Sequence, residues 1–383
     1  MTVQYYACIS SSDAEILIPA FVPSRLEYSN AILAGLLHYA LYLNCCTIDG
    51  HTYFCPRSEF WNTFNTTLCF YTSLSSFKTL PNLLTIIILF RGKCGLSKCV
   101  TRYLMVMAAA DLLVIVTDVV LYRINDYYLP TSFLFITPVC AFQNALRHAA
   151  ADISVWVTVA FTFDRFVTIC CQKLRTKYFT ENTASAVIGT ICLLFCLKNI
   201  PWYFAIEPYV TINNVPWDCN TKVDYYTVPA WVAFSWIHRC LNPLLPIVLI
   251  LLLNIVTVVH ILAVSRVRKS LRATKNKVNQ NDPEMKKRRK SIILLFAISG
   301  NFIMLWMLYV IVFLLTQITN NYYSTDFSDP MLIADQTSYM LLLLSCCTNT
   351  CIYAVTVTKF KEELKNALTY APKLILKLVK RGQ

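Results

Sequence analysis

The chain has 383 residues, of which 56% are hydrophobic and only 14% are charged, and its formal net charge is +13. A soluble domain of this length needs more polar surface than that composition supplies, so the composition excludes a water-soluble globular protein. Several apolar stretches run for about 20 residues or more, the length of helix that crosses a bilayer, and a segment in lipid pairs its backbone groups internally by forming a helix. The sequence therefore predicts an all-α membrane protein with several spans.

Seven spans are predicted in chain order. A weak first span at 68–90 is followed by clear spans at 103–122, 139–170, 184–205, 229–263, 291–317 and 331–357. The connections carry turn-forming residues, as in "NDYYLPTS" and "NNVPWDCN". We therefore expect an N-terminal segment at 1–67, a seven-helix domain at 68–357 and a tail at 358–383.

The N-terminal segment is the least regular part of the sequence. Its apolar run "NAILAGLLHYALYLNCC" (30–46) is short for a span and starts late for a signal peptide. An extra span there would disturb the charge pattern, which leaves a divergent tail, a mis-joined upstream exon and a real domain as open interpretations. The sequon "NTT" (65–67) makes Asn65 a glycosylation acceptor if it clears the membrane.

Basic residues gather on one side of the predicted spans. They lie in the loops at 91–102, 171–182 and 264–290, the last of which contains "KKRRK" (286–290), whereas the intervening loops are poor in Lys and Arg. The positive-inside rule places these loops and the C-terminus in the cytoplasm and the N-terminus outside. The positive charge then indicates attraction to anionic membrane lipids rather than to nucleic acid.

Two charged sites within the spans need a physical explanation. Asp164 and Arg165 stand side by side at the cytoplasmic end of the third span, either as a functional pair or as an interfacial arginine that snorkels beside a neutralising neighbour. Asp111 is a carboxylate deep in the second span, where it is costly unless paired, protonated or ion-bound. An ion or water network and a protonated carboxyl in a helix contact both remain open for Asp111.

Short motifs recur in a fixed order along these spans. They are "PNLLTIIIL" (81–89), "AAADLL" (108–113), "DRF" (164–166), Pro246 and "NTCIY" (349–353). In order, spacing and topology they resemble the rhodopsin-like (class A) G-protein-coupled receptors, over residues from about 80 to 370. Within that class, "VWVTVAFTFDRF" (155–166), "WIH" (236–238) and "LLLNIV" (251–256) resemble the orphan receptors numbered 139 and 142. The resemblance implies a seven-transmembrane helix bundle with a short amphipathic helix 8 at the plasma membrane.

The resemblance also implies roles for individual residues. G-protein coupling and activation fall to Asp164, Arg165, Phe166, Asn349 and Tyr353, and a sodium or water network to Asn82, Asp111 and Asn349. No cofactor is expected apart from the sodium ion that the resemblance implies near Asp111. Cys140 and Cys219 match the pair that forms the family's outer disulfide, with free thiols as the alternative. The expected partners are a heterotrimeric G protein of the Gq type and a small extracellular ligand, an aromatic amino acid or a related acid or peptide.

The predicted ligand pocket lies between the outer halves of the spans. By spacing from Arg165, the position of an amine-binding aspartate is taken by Arg147, followed by His148, a pair suited to a carboxylate, although Arg147 could instead snorkel to the outer headgroups. Aromatic walls are expected from the remaining pocket residues, Trp236, His238, Trp306 and Tyr309. Leu308 and Thr350 stand where the class has prolines, which removes two kink sites.

Other function classes leave fewer traces in the sequence. The alternative is a transporter or channel that uses the intramembrane charges, but such folds commonly show repeated halves, and no repeat stands out. No metal-binding spacing, nucleophile elbow or phosphate-binding glycine loop points to an enzyme. The tail sequence "TKFKEELKNALTYAPKLILKLVK" (358–380) places apolar residues near one face with lysines beside them, which predicts an amphipathic helix on the inner leaflet.

Overall fold

The structure, a computed structural model, describes residues 79–124, 132–171, 180–212, 214–274, 283–319 and 330–379. Side chains are described within these ranges except at 123–124, 267–274, 283–288 and 370–379. The predicted N-terminal segment, the sequon at Asn65 and the beginning of the predicted span 68–90 lie outside the described residues.

Helices occupy every predicted span. In chain order they are α1 (Thr79–Phe90), α2 (Lys98–Val114, continued by a π-helical segment Ile115–Ile124), α3 (Thr137–Cys170), α4 (Glu181–Lys198), α5 (Pro229–Arg239, a π-helical turn Cys240–Leu244, then Leu245–Thr274), α6 (Pro283–Thr319), α7 (Pro330–Thr356) and α8 (Thr358–Val379). In the described part of the chain, α2 to α7 provide six helices long and apolar enough to cross a membrane, and α1 is a shorter apolar helix. The predicted all-α, seven-transmembrane fold is confirmed.

Several helices extend beyond their predicted cytoplasmic boundaries. α2 begins at Lys98, where the Ser97 hydroxyl caps the helix by accepting a hydrogen bond from the Val100 amide at 3.4 Å. α6 begins at Pro283 and carries the basic run 286–290 on helical backbone before it reaches the apolar span. Hydropathy marks where a chain enters hydrocarbon, but a helix continues into water as long as its backbone hydrogen bonds and caps persist.

The segment between α4 and α5 contains two short antiparallel ribbons. After a helical turn at Pro201–Phe204, strand β1 (Ile206–Glu207) pairs with β4 (Asn220–Thr221), and β2 (Val210–Ile212) pairs with β3 (Val215–Trp217). A second helical turn, Asp224–Thr227, leads into α5. The sequence pattern did not predict these strands, which are only two or three residues long.

The described bundle contains three clusters of buried hydrophobic residues: an inner one, a middle one, and one between α2, α3 and α7. Leu104, Met107 and Phe161 are buried in the inner cluster, and Ile250 and Trp306 in the middle one. Large apolar side chains on the outside of the bundle are exposed, above all on α5. That distribution suits a protein whose outer surface contacts acyl chains.

Candidate functional site

The inner end of α3 holds a buried charge pair. The Arg165 Nε donates to Asp164 Oδ2 at 2.9 Å, and its Nη2 contacts the same oxygen. Its Nη1 donates to the Ser291 hydroxyl of α6 at 3.4 Å. Asp164 is only 2% exposed and Arg165 only 7%. Arg165 is therefore paired inside the bundle and joins α3 to α6, rather than snorkelling to the headgroups.

The other predicted coupling residues make their described contacts elsewhere, and Asn349 lies at the Asp111 cavity in the middle of the bundle. Phe166 packs on Phe163, with ring centroids 6.4 Å apart. Tyr353 is 1% exposed and packs edge-on against Phe360 of α8 at 5.8 Å. Its hydroxyl has no hydrogen-bond partner among the described residues. A buried hydroxyl without a hydrogen-bond partner is costly, so a rearrangement that gives the Tyr353 hydroxyl a partner is favoured.

Asp111 lies at a cavity in the middle of the bundle. Its Oδ1 accepts from the Ser154 hydroxyl at 2.5 Å and its Oδ2 from the Asn349 amide at 2.8 Å. The further polar residues that line this cavity are Thr158, Asn301, Ser345 and Trp306, whose indole N–H donates to the Ser345 hydroxyl at 3.1 Å. Three helices thus bring oxygen-bearing side chains together around one carboxylate.

Asn82 does not line this cavity, although the sequence grouped it with Asp111. Its amide donates to the Cys346 carbonyl of α7 at 2.8 Å, and its oxygen accepts from the Thr350 hydroxyl at 3.5 Å. Thr350, which stands where the class has a proline, also shares a hydrogen bond with Thr85 at 2.9 Å. A proline there has no hydroxyl, so the substitution exchanges a kink for a polar connection between α1 and α7, and α7 runs as one helix.

The outer half of the bundle corrects the prediction for Arg147. Its Nη1 donates to Asp118 Oδ1 of the π-helical segment at 2.8 Å, and its Nη2 to the Asn144 amide oxygen at 2.8 Å. Asp118 is fully buried. Arg147 is thus neither an uncompensated cation that needs a ligand carboxylate nor a snorkelling side chain. Helical spacing tests an acid on the same helix, such as Asp152 of α3, but it could not reveal this pair because Asp118 belongs to α2.

The predicted aromatic wall is divided between two places. His148 stacks on Trp202 with centroids 4.0 Å apart, and His238 lies edge-on to His148 at 5.2 Å. Tyr309 packs edge-on to Trp306 at 6.3 Å, one helical turn further out on α6. Trp236 joins neither group, because its side chain is 44% exposed and contacts Phe313 at 5.7 Å.

A buried polar cluster between α3, α4 and α5 was not predicted. Asp152 Oδ2 accepts from Lys198 Nζ at 2.7 Å and from the Asn199 amide at 2.6 Å, while Oδ1 accepts from the Asn242 amide at 2.6 Å. Lys198 Nζ also lies 2.9 Å from His238 Nδ1. The signal was present in "CLKNIPW", where a lysine and an asparagine interrupt an apolar span.

Arg239 makes a further contact that was not predicted. It directly follows His238, and its Nη1 donates to the Tyr309 hydroxyl of α6 at 2.9 Å. Its guanidinium carbon lies 4.7 Å from the centroid of the Phe313 ring. The sequence contained an indication of this role, because Arg239 is a cation within the predicted span 229–263, and an ionisable residue inside a span is a candidate functional residue.

The outer loop is fastened to α3 by the predicted disulfide. Cys140 and Cys219 are bonded, with their Cα atoms 6.3 Å apart. Next to this bond, the Thr137 hydroxyl donates to the Asp218 carbonyl at 2.9 Å. Tyr225, in the turn before α5, packs on Trp202 at 5.4 Å, and burial raises the pKa of its phenol. These contacts hold the loop over the outer ends of α3 and α5.

The family comparison agrees with this architecture. Residues 81–353, more than half of the chain, match the family model described as 7 transmembrane receptor (rhodopsin family). The matched region begins in α1 and ends at Tyr353 of α7, so it contains the charge pair of α3 and the cavity at Asp111. The chain therefore belongs to the rhodopsin family of seven-transmembrane receptors, multi-pass plasma-membrane proteins that are not enzymes but signal through G proteins in response to extracellular ligands.

Proposed function

We propose that this receptor couples a small ligand in the outer half of its bundle to a G protein at its inner face, and that Arg165 is the switch. The observation that carries the proposal is the contact of Arg165 with both Asp164 and Ser291, which joins α3 to α6. A ligand that favours an open arrangement of these helices releases the guanidinium for the G protein.

The orientation in the membrane and the receptor subtype belong to the same proposal. The basic loops favour a cytoplasmic inner face and an N-terminus outside. The resemblance to the orphan receptors 139 and 142 supports coupling to a Gq-type protein and an aromatic amino acid, or a related acid or peptide, as the ligand. His148, His238, Trp306 and Tyr309 offer aromatic surface for such a ligand, while the exposed Trp236 contributes less.

A sodium ion at Asp111 is the second part of the proposal. The donor set fits a hard cation, because a carboxylate, the Ser154 and Ser345 hydroxyls and the Asn301 and Asn349 side chains line one cavity. In the described residues no cluster of three or more His, Cys, Asp or Glu side chains suits a transition metal. A bound sodium would supply the positive charge that a buried carboxylate needs, and it would thereby stabilise the packing of α2 against α3 and α7.

G-protein activation in cells tests the central claim. Wild-type receptor and the variant Arg165→Ala are expressed, and both basal signalling and the responses to L-phenylalanine, L-tryptophan and short aromatic peptides are recorded. We expect Arg165→Ala to signal no more than cells without the receptor while it still reaches the surface. Its matched control is Arg102→Ala, which removes an inner-face arginine that pairs with the partly exposed Glu181 of α4.

The control variant should signal as the wild type does, because a partly exposed ion pair contributes little to packing. Unchanged signalling by Arg165→Ala at equal surface expression would remove the proposed role of the charge pair. Ion currents or uptake of the same amino acids without G-protein activation would instead favour the transporter or channel alternative.

A further inference from the structure

The outer halves of α3, α4 and α5 carry three basic side chains that differ in how they are neutralised. Arg147 pairs with Asp118 at 2.8 Å, and Lys198 pairs with Asp152 at 2.7 Å. Arg239, on α5, has no carboxylate oxygen within 4.0 Å in the described part of the chain. A cation inside a membrane bundle is expensive unless it is paired, so Arg239 is the basic group with capacity for a further anion.

The guanidinium of Arg239 is oriented but not saturated. Its single hydrogen bond among the described residues is donated to the Tyr309 hydroxyl, at 2.9 Å. Its carbon lies 4.7 Å from the Phe313 ring centroid and 5.9 Å from the Tyr309 ring centroid, which is the range of a cation–π contact. A guanidinium has five N–H donors, so most of this fork is left for another acceptor.

The position of Arg239 suits contact with a ligand. Tyr309 lies one helical turn outward from Trp306, which lines the cavity at Asp111. The charge of Arg239 acts electrostatically on His148 of α3, on the neighbouring His238 and on Asp335 of α7. Its direct contacts are with Tyr309 and Phe313 of α6, so the guanidinium lies between α5 and α6.

We infer that Arg239 and Tyr309 form the subsite for an anionic group of the receptor's ligand, a carboxylate or an isostere of one. The inference rests on the proposed function, and it moves the anion from Arg147, where the sequence placed it, to α5. The planar fork of arginine matches the two oxygens of a carboxylate, and the phenol of Tyr309 adds a donor beside it. The rings of His148 and Trp202 provide a stacked aromatic surface near the same end of α5.

Among the described residues, Asp335 is the acidic side chain on which the charge of Arg239 acts. It lies beyond ion-pair distance of Arg239 in this structure, so its attraction offsets the cation only in part. If Asp335 were the functional partner of Arg239, replacing the arginine would weaken the packing of α5 near α7 without changing the preference for anionic over neutral ligands. Binding therefore has to be compared between charged and uncharged versions of one probe.

The test uses purified full-length receptor in lipid nanodiscs, with no G protein present. The probes are 4-phenylbutanoate and 4-phenylbutanamide, which share ring, chain length and shape but differ in charge. Their dissociation constants are measured by ligand-observed NMR on the wild type and on the variants Arg239→Gln, Arg239→Lys, Tyr309→Phe and Arg147→Lys. The unfolding midpoint of each variant without probe confirms that it is folded.

We expect the wild type to bind the acid at least about tenfold more tightly than the amide, a difference of about 1.4 kcal/mol. Arg239→Gln should abolish this preference. Arg239→Lys should keep only part of the preference. If Arg239→Gln does not fold, the lysine variant replaces it in the test, and a full preference in that variant would contradict the inference. Tyr309→Phe should reduce the preference, whereas Arg147→Lys, which keeps the charge beside Asp118, should leave it unchanged.

Three results would overturn the inference. The wild type could bind acid and amide equally or bind neither detectably, or Arg239→Gln could keep the full preference for the acid. The third is that Arg147→Lys loses as much of the preference as Arg239→Gln does. Because binding is measured without signalling, the two proposals fail separately. An acid preference that depends on Arg239 in a receptor that activates no G protein would remove only the proposed function. G-protein activation without any acid preference would remove only the anion subsite.

Discussion

The polar cluster centred on Asp152 should be the most sensitive internal contact of the outer bundle. One fully buried carboxylate accepts three hydrogen bonds, from Lys198, Asn199 and Asn242, and thereby joins α3, the end of α4 and the π-helical turn of α5. Replacing Asp152 by leucine leaves a buried ammonium and two buried amides without this acceptor. Breaking a buried ion pair from one side costs about 3–5 kcal/mol. The orphaned amide of Asn242 adds about 1–3 kcal/mol, whereas the Asn199 amide keeps the Phe195 carbonyl as an acceptor at 2.8 Å.

Removing Lys198 instead of Asp152 should be milder, because the carboxylate accepts three hydrogen bonds and loses only one of them. In Lys198→Met the carboxylate keeps its two amide donors, and the methionine occupies about the same volume as the lysine stem. We therefore expect a loss near the lower end of the range, about 3 kcal/mol. The double variant Asp152→Leu with Lys198→Met removes both charges and should be more stable than Asp152→Leu alone, since buried pairs replaced together by apolar residues are often neutral.

Thermal unfolding of the purified receptor measures these differences. A thiol-reactive dye reports unfolding through buried cysteines such as Cys94. We expect the midpoints to rank wild type above Lys198→Met and Lys198→Met above Asp152→Leu, with the double variant above Asp152→Leu. Additive losses in the double variant, or an Asp152→Leu receptor as stable as the wild type, would show that the carboxylate does not hold these helices together.

Three further predictions concern other contacts. Ser291→Ala removes the hydrogen bond from Arg165 to α6 at 3.4 Å, so basal G-protein activation should rise by about two- to tenfold, as expected for about 0.5–1.5 kcal/mol; unchanged basal activity would argue against this contact as a restraint. Cys219→Ser should lower surface expression and the unfolding midpoint, whereas Cys196→Ser, at an exposed free thiol on α4, should change neither. A peptide of residues 358–380 should bind anionic vesicles and lose affinity when its lysines are replaced by glutamine, and binding that is independent of salt would contradict an electrostatic attraction to the inner leaflet.

The sequence predicted those features that depend on one chain segment at a time. The bilayer sets the length of each span, so the apolar runs from 103–122 to 331–357 identified their helices. The helices extend further than the apolar runs, since α5 continues to Thr274 and α6 begins at Pro283. The disulfide followed from the resemblance and is present between Cys140 and Cys219. The short strands between α4 and α5 were missed because two or three residues give no periodic pattern.

The contacts between helices were harder to predict, and Arg147 shows why. Helical spacing shows which residues of α3 share a face, but it does not show which face of α2 lies opposite them. The π-helical form of Ile115–Ile124 changes that face further, because its residues follow a wider turn than those of an α-helix. Asp118 therefore meets Arg147 through a local geometry that the hydrophobic pattern of α2 does not encode.

The pairs found in the structure constrain how a ligand can act. α3 is held to α2 by Arg147, to α4 and α5 by Asp152, and to α6 by Arg165. A ligand shifts the equilibrium between two helix arrangements only by the difference in its affinity for them. It therefore has to contact residues whose positions differ between the two arrangements. An anion at Arg239 and Tyr309 would act on α5 and α6 together and leave the internal pairs of α3 intact. Since α6 also carries Ser291, a displacement of its outer half reaches Arg165 along one uninterrupted helix.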